Sequence, residues 1–284
     1  AMRRTLGDDH PDTISSMGNL ALVLQRLGRL TEAEQLERDV LERSKRVFGE
    51  EHDSTLGSMT NLAGTYTLLE RYDEAEILLL QVLEIGRRTR GEKHPENLTA
   101  LSILAIAYMN GGKHAEAEAL YLELIEIRTS LHGPGHPYVL GQHTNLGLLY
   151  LTLERYDDAA KQFETSLPIK RRVLGTQHPW TMTAIEGLME ARLGQGRIDD
   201  ARELQQELIA LASPAAEAEG ATAAQLAELA RLLLVDGLEE REGLERVREL
   251  AERACDLAEG EELESCRELV VEAEGKLGEL DEED

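Results

Sequence analysis

Histidine is the residue of this chain whose spacing most invites a chemical reading. It stands at positions 10, 52, 94, 136 and 178, always 42 residues apart and always three after a glycine: Gly7, Gly49, Gly91, Gly133 and Gly175. Proline follows it at Pro11, Pro95, Pro137 and Pro179, and Asp53 takes that place in the second copy. Imidazoles ligate metals and move protons, but a metal needs its ligands about 2 Å from one ion. Residues at one phase of stacked helical units stand on the order of 10 Å apart, the distance between packed helices. These five therefore cannot share a metal. The ring reads instead as a tie between an inter-repeat loop and adjacent backbone, with the proline setting the entry into a helix. His114, His132 and His143 fall outside this phase, have no cysteine near them, and read as surface or packing residues.

Other chemistry is equally thin. No nucleophile elbow or dinucleotide fingerprint occurs, and Gly111-Gly112-Lys113 lacks the upstream glycine and the following Ser or Thr of a phosphate loop. It reads as a turn. Paired carboxylates abound in so acidic a chain and carry no information about acid-base catalysis. The expectation is a protein with no catalytic residues, no cofactor and no metal.

Two further sets keep the same step. One is Asn19-Leu20-Ala21, Asn61-Leu62-Ala63, Ile103-Leu104-Ala105, Asn145-Leu146-Gly147 and Gly187-Leu188-Met189; the other is Ala33, Ala75, Ala117, Ala159 and Ala201. A period between 20 and 50 residues marks a solenoid, in which each unit buries its apolar face only against its neighbours. Apolar spacing such as Met59, Leu62, Ala63 and Tyr66 gives each unit a first helix, with Asp12 and Ser54 expected as N-caps. A turn follows at Leu27-Gly28-Arg29, Gly111-Gly112-Lys113 or Gly194-Gln195-Gly196, and Glu70-Arg71-Tyr72 and Glu154-Arg155-Tyr156 do the same job without glycine. The second helix is expected to start at Thr31, Asp73 or Asp157 and to run to the next loop glycine.

Of the 284 residues, 42% are hydrophobic and only 4% aromatic, as closely interlocked helices require. No apolar run approaches the roughly 18 residues of a membrane span and no secretory signal opens the chain, so a soluble protein is expected. Cys255 and Cys266 fit neither a disulfide framework nor a zinc site, and read as reduced thiols in a cytoplasm. The net charge is −25, of which −16 falls from Ala215 onward. Such a field argues against nucleic acid or an anionic membrane as main partner.

The chain resembles the tetratricopeptide repeat, in the 42-residue variety of kinesin light chains and many bacterial signalling proteins. The residues that carry the resemblance are the Asn-Leu-Ala core, the Gly-Arg-Tyr-like turn, Glu32-Ala33-Glu34 with its copies Glu74-Ala75-Glu76 and Glu116-Ala117-Glu118, and the Leu-Gly-x-x-His-Pro loop. It implies an all-α, right-handed solenoid of helix-turn-helix repeats: five regular units over residues 1–212, a degenerate sixth pair over 213–260, a capping helix over 261–280 and an acidic tail over 281–284. In that sixth pair, Glu239 to Gly243 read as an insertion before a helix from Leu244 to Ala258. Arg3-Arg4-Thr5-Leu6-Gly7 matches Arg87 to Gly91 and Arg171 to Gly175, which read as helix ends. More protein is therefore expected upstream.

The resemblance places binding on a concave wall lined by first helices. Aligning the units gives Asn19, Gln25 and Arg26 from the first, Thr60, Asn61 and Thr67 from the second, and Ser102, Ile106 and Asn110 from the third. Thr144, Asn145 and Leu148 follow from the fourth, and Glu186 and Glu190 from the fifth. Ser15, Gly18, Leu22 and Gly57 share that face. In the family the asparagine hydrogen-bonds the backbone of an extended peptide, and Asn19, Asn61 and Asn145 match it whereas Ile103 and Gly187 do not. A basic clamp for a terminal carboxylate is not to be expected, with Arg26 alone among cations on this face. Trp180 and Tyr138, just past His-Pro, are expected to pack on the preceding repeat. The leading reading is a monomeric scaffold for a partner protein or peptide. Its alternative is a regulatory or self-assembly arm of a larger signalling enzyme with a kinase, NTPase or protease domain upstream.

Overall fold

The computed structural model describes residues 7–216, 221–234, 241–258 and 260–283. Arg3 to Leu6, and the inserted residues Glu239 and Glu240, lie outside them. Thirteen helices occur among the described residues, and no strand. They are α1 (Pro11–Arg26), α2 (Leu30–Phe48), α3 (Asp53–Leu68), α4 (Tyr72–Arg90), α5 (Pro95–Asn110), α6 (His114–His132) and α7 (Pro137–Thr152). The chain continues with α8 (Tyr156–Val173), α9 (Pro179–Gly194), α10 (Ile198–Ala216), α11 (Ala223–Leu233), α12 (Arg241–Leu257) and α13 (Glu261–Glu283). Two compact units divide at Leu149 and Tyr150, within α7.

Each first helix begins on the repeated histidine, and its cap is the imidazole. Nδ1 of His10, His52, His94, His136 and His178 accepts the backbone N–H two residues on, at 3.2, 3.1, 3.4, 3.3 and 3.2 Å. Asp12 and Ser54 are thus not the caps; they supply the N–H that the ring receives. One residue further, a side chain reaches back to the loop glycine carbonyl: Thr13 to Gly7 (2.9 Å), Thr55 to Gly49 (2.7 Å), Asn97 to Gly91 (2.8 Å) and Thr181 to Gly175 (2.8 Å). The carbonyl can receive it because the glycine is left-handed, with φ of 93° at Gly49 and 85° at Gly91.

The turn inside each unit closes by a bond from the residue after the turn to a carbonyl five residues back. Arg29 N reaches Leu24 O, Arg71 reaches Tyr66, Lys113 reaches Tyr108, Arg155 reaches Tyr150 and Arg197 reaches Arg192, all at 2.8 or 2.9 Å. This is the Schellman arrangement, which needs a left-handed residue just before. Glycine provides it at Gly28, Gly112 and Gly196, whereas Glu70 (φ 60°) and Glu154 (φ 55°) adopt it with a Cβ. The second helices start one residue earlier than expected, at Leu30, Tyr72 and Tyr156, with no side-chain cap on Arg29, Arg71 or Arg155. Each of these arginines instead pairs with an acid three residues on: Glu32, Glu74 and Asp158.

From α1 to α6 each helix packs on the next, and α1 touches α3 as α3 touches α5. The alanines repeated at one phase, Ala33, Ala75 and Ala117, are fully buried there, as are Leu56, Leu79 and Leu124. Leu20 is 52% and Val23 51% exposed, while Leu62, Leu104, Thr65 and Ala107 at the same phases are 3%, 2%, 0% and 1% exposed. The later positions lie under the second helix of the preceding pair. In the second unit α8 to α13 pack in succession, and α11 also touches α13. α10 runs through Ser213 and Pro214, so the boundary expected at 212 lies inside a helix. α12 already begins at Arg241, before Leu244. α13 continues to Glu283, past the expected limit of 280, with no proline to stop it. Residues 281–283 are therefore helical.

Two predictions follow from these loops. Glu70→Gly and Glu154→Gly should each stabilise the fold by about 0.5–1 kcal/mol, the left-handed penalty less the added entropy of glycine. An unchanged urea midpoint would show the strain to be absent. His94→Ala should cost about 1 kcal/mol, with most of it restored by His94→Asn, since the asparagine oxygen also accepts from a helix N-terminus. Equal losses in both would assign the effect to lost packing instead of the cap.

Candidate functional site

Helical spacing puts Ser15, Gly18, Asn19 and Leu22 on one face of α1, and Ser54, Gly57, Ser58 and Asn61 on one face of α3. These two faces border a cleft of about 350 Å³. Ile14, Val40, Ser44 and Phe48 line it from beneath, with Asp53 and Glu96 among its remaining residues. Small side chains keep it open: a Cβ placed on Gly18 or Gly57 would meet nothing within 4 Å. Ser44 and Ser58 are hydroxyl to hydroxyl at 3.2 Å. Arg90 pairs with Asp53 at 3.2 Å and with Glu96, so the cleft's two acids share a cation.

Asn19 is exposed and Asn61 half-buried. Among the described residues, none hydrogen-bonds to the carboxamide of Asn19, Asn61 or Asn145. A carboxamide donates and accepts at once, so a row of unengaged ones suits a ligand backbone. At the two phases without asparagine, packing accounts for the change. Ile103 Cδ1 comes within 4.0 Å of where a Gly64 Cβ would lie, and at Gly187 a Cβ would fall 2.3 Å from Phe163 Cζ. The Phe163 ring thus occupies the space that an asparagine would need.

The other candidates divide between surface and interior. Thr60, Thr67 and Thr144 are buried, and their hydroxyls donate to Leu56, Ala63 and Leu140 carbonyls at 2.9, 2.9 and 3.0 Å. Ser102 donates likewise to Leu98, at 2.7 Å. These hydroxyls serve their own helices. Ile106 and Leu148 are half-buried, and Arg26 and Asn110 are exposed in the last turns of α1 and α5. Glu186 and Glu190 are one turn apart on α9, in the second unit; Glu190 is exposed. Tyr138 packs under Arg128 of the preceding helix, 4.9 Å from ring centre to guanidinium, yet remains 59% exposed. Trp180 meets His178 edge-on at 5.7 Å.

Val40, Ser44 and Phe48 were not legible as site residues, because they belong to a second helix. Phe48 stacks on His52 at 4.9 Å, and His132, at the same phase, stacks on His136 at 4.6 Å. The signal was available: an aromatic ring four residues before a repeated histidine, twice.

Gln25 is held away from the cleft. Its amide donates to Thr65 Oγ1 and, at 3.3 Å, to Glu37 Oε1, while Thr65 donates to Glu37 Oε2 at 2.5 Å. Glu37 is 2% exposed and occupies a phase that holds Leu79, Tyr121 and Phe163 in later units. Burial raises its pKa to about 7, against the opposing bond from Thr65 and with a further push from Glu34.

Paired helices at one period, tied by identical loops and turns, define an α-solenoid of helix-turn-helix units. The tetratricopeptide repeat family model matches residues 1–46, 18–88, 54–130, 96–170 and 141–213, and the chain belongs to that family. Its fold is similar to the crystallised putative kinesin light chain repeats of Podosopora anserina, at 28% identity and a TM-score of 0.62 over 71% of this chain and 96% of that one. BtubC (BKLC) from P. vanneervenii is similar at 23% identity and a TM-score of 0.65, over 74% of this chain and 85% of that one. The apo quorum sensor NprR from B. thuringiensis shares the fold at 18% identity and a TM-score of 0.65, covering 92% of this chain and 76% of that one. No curated protein sequence matches. No described helix is long and apolar enough to cross a membrane.

The buried carboxyl gives a pH test. Between the ordinary carboxylate range and about 7, folded Glu37 keeps a proton that the unfolded chain has released. Its contribution to stability therefore falls as pH rises through that window and is constant above it. Glu37→Gln should gain about 3 kcal/mol relative to the parent between pH 4.5 and pH 8. A difference independent of pH, measured by urea unfolding, would contradict the burial penalty.

Proposed function

We propose that this protein is a non-catalytic scaffold that holds an extended segment of a partner protein along its first-helix faces. The observation that carries this reading is the cleft between α1 and α3, where Asn19 and Asn61 present unengaged carboxamides above an apolar base. An extended strand offers backbone N–H and C=O groups on alternate sides, and an amide satisfies either. Ile14, Val40 and Phe48 lie beneath, where an apolar side chain of the ligand is desolvated. Nothing in the cleft favours a terminal carboxylate, because its acids are Asp53 and Glu96 and Arg90 is already paired with both. The ligand is then a neutral or basic internal segment, read by a monomer in the cytoplasm.

A second reading is a regulatory or self-assembly arm of a larger signalling enzyme, which would act without the cleft.

Panning a display library of proteome-derived peptides against the parent and against Asn19→Ala/Asn61→Ala separates the two readings. Loss of two backbone hydrogen bonds of about 0.5–1.5 kcal/mol each predicts binding weakened about fivefold to a hundredfold. Enriched peptides that bind the variant equally well would remove the asparagines from the site. No enrichment, together with a mass that rises with concentration, would favour the assembly arm.

A further inference from the structure

The geometry points to a second subsite on the first-helix faces, in which Arg128 of α6 receives the carboxylate of an acidic residue in the bound segment. It rests on the groove reading above and adds one aspartate or glutamate to a segment otherwise neutral or basic. The repeat gives its position. Ile14, Ser44 and Ser58 line the cleft between α1 and α3, and two repeats on the same phases hold Leu98, Arg128 and Gln142. Ser44 and Ser58 meet hydroxyl to hydroxyl at 3.2 Å, and Arg128 Nη2 donates to the Leu98 carbonyl at 2.9 Å. The Tyr138 ring lies against the guanidinium at 4.9 Å, and Gln142 stands one turn further along the same face of α7.

Arg128 is 5% exposed, and among the described residues no carboxylate pairs with it. A buried guanidinium is ordinarily paired, because desolvating an unmatched charge is costly. The bond to Leu98 takes one of its N–H groups, and a neutral amide would make that bond as well. Ser44 and Gly86 hold the same phase in the two preceding repeats, so stacking does not require a cation there. Burial lowers the Arg128 pKa, with Tyr138 opposing, so the charge lacks the partner that would favour it.

Gln142 is the second unanswered group. It is 5% exposed, and its Oε1 has no hydrogen-bond partner among the described residues. An acceptor next to a cation selects a ligand that brings a donor and an anion together. An acidic residue within a peptide does so: its carboxylate accepts from Arg128 while its backbone N–H donates to Gln142 Oε1. A free carboxylate brings the anion alone. Space exists above the pair, since a Cβ placed on Gly141 would meet nothing within 4 Å, as at Gly57 of the same phase. Tyr138 is 59% exposed, so its ring has open solvent into which to turn aside. Clefts two repeats apart stand on the order of 20 Å from each other, which an extended chain spans in about six residues. The acidic residue therefore falls about six positions from the one seated over Val40 and Phe48.

The test titrates the full chain, with its arginine side chains labelled for NMR, with short blocked peptides that carry Asp, Glu, Asn or Gln between alanines. Arg128 is assigned by the signal that Arg128→Gln lacks. The expected result is a saturable shift of the Arg128 Nε–H signal, with the better acidic peptide binding about tenfold tighter than its amide counterpart, because a charge-assisted bond replaces a neutral one. Free glutarate should bind no tighter than the amide peptides, and Gln142→Leu should weaken the acidic peptide about threefold or more. An Arg128 signal that neither acidic peptide moves, acidic and amide peptides that bind alike, or glutarate that binds as tightly as the peptide would each overturn the proposal, and all three are read on the parent chain. These peptides are too short to reach α1, so the result stands apart from the panning. Panned segments that bind without moving the Arg128 signal would sink this subsite and leave the groove reading in place.

Discussion

The loop between units is the constraint on which the stack depends, because a helix pair has no core of its own. Whatever fixes the angle at which one pair leaves for the next also fixes which residues are buried. Here a left-handed glycine turns its carbonyl toward the next helix, a Thr or Asn side chain receives it as donor, and an imidazole satisfies the helix N-terminus. Three groups within seven residues thus set one junction. The fourth unit shows the tolerance of the device: Val139 stands where Thr or Asn does elsewhere and has no side-chain donor to offer, yet His136 still caps α7. Val139 is fully buried, so apolar packing stands in for the missing bond.

Uniform junctions free the remaining surface of the first helices from structural duty. Leu56, Leu62 and Tyr66 anchor α3 in the core, while Gly57 and Asn61 on the same helix border the cleft. The cleft is polar at its edges and apolar beneath because two helices contribute to it differently. α1 and α3 give small and amide side chains, and α2 gives Val40 and Phe48 from below.

Much of the fold was legible because a period is a global signal that survives local degeneracy. Glu70 and Glu154 were recognisable as turn residues by phase alone, although neither is a residue that usually adopts a left-handed conformation. The caps were misread for the opposite reason: Asp12 and Ser54 are common capping types, whereas histidine is not, so composition pointed two residues too far. The candidate cleft divides along the same line. The asparagines follow from phase, but Gln25 does not, since its place depends on Glu37 and Thr65, two polar residues at phases that are mostly apolar in other units. Those exceptions were visible in the alignment of repeats and could have marked the network.

Charge and shape act on a partner at different ranges. The chain's −25 charge, −16 of it from Ala215 onward, favours the approach of a basic protein, an effect on association rate that salt weakens. Within the cleft, Arg90 already draws on Asp53 and Glu96, so those acids present less net charge to a ligand than their number implies. Retention there falls to hydrogen bonds and apolar contact, which salt screens little. On the scaffold reading proposed above, a ligand of this cleft should bind with a salt-sensitive on-rate and a nearly salt-insensitive off-rate, because the field would bring the partner in and the amides would hold it.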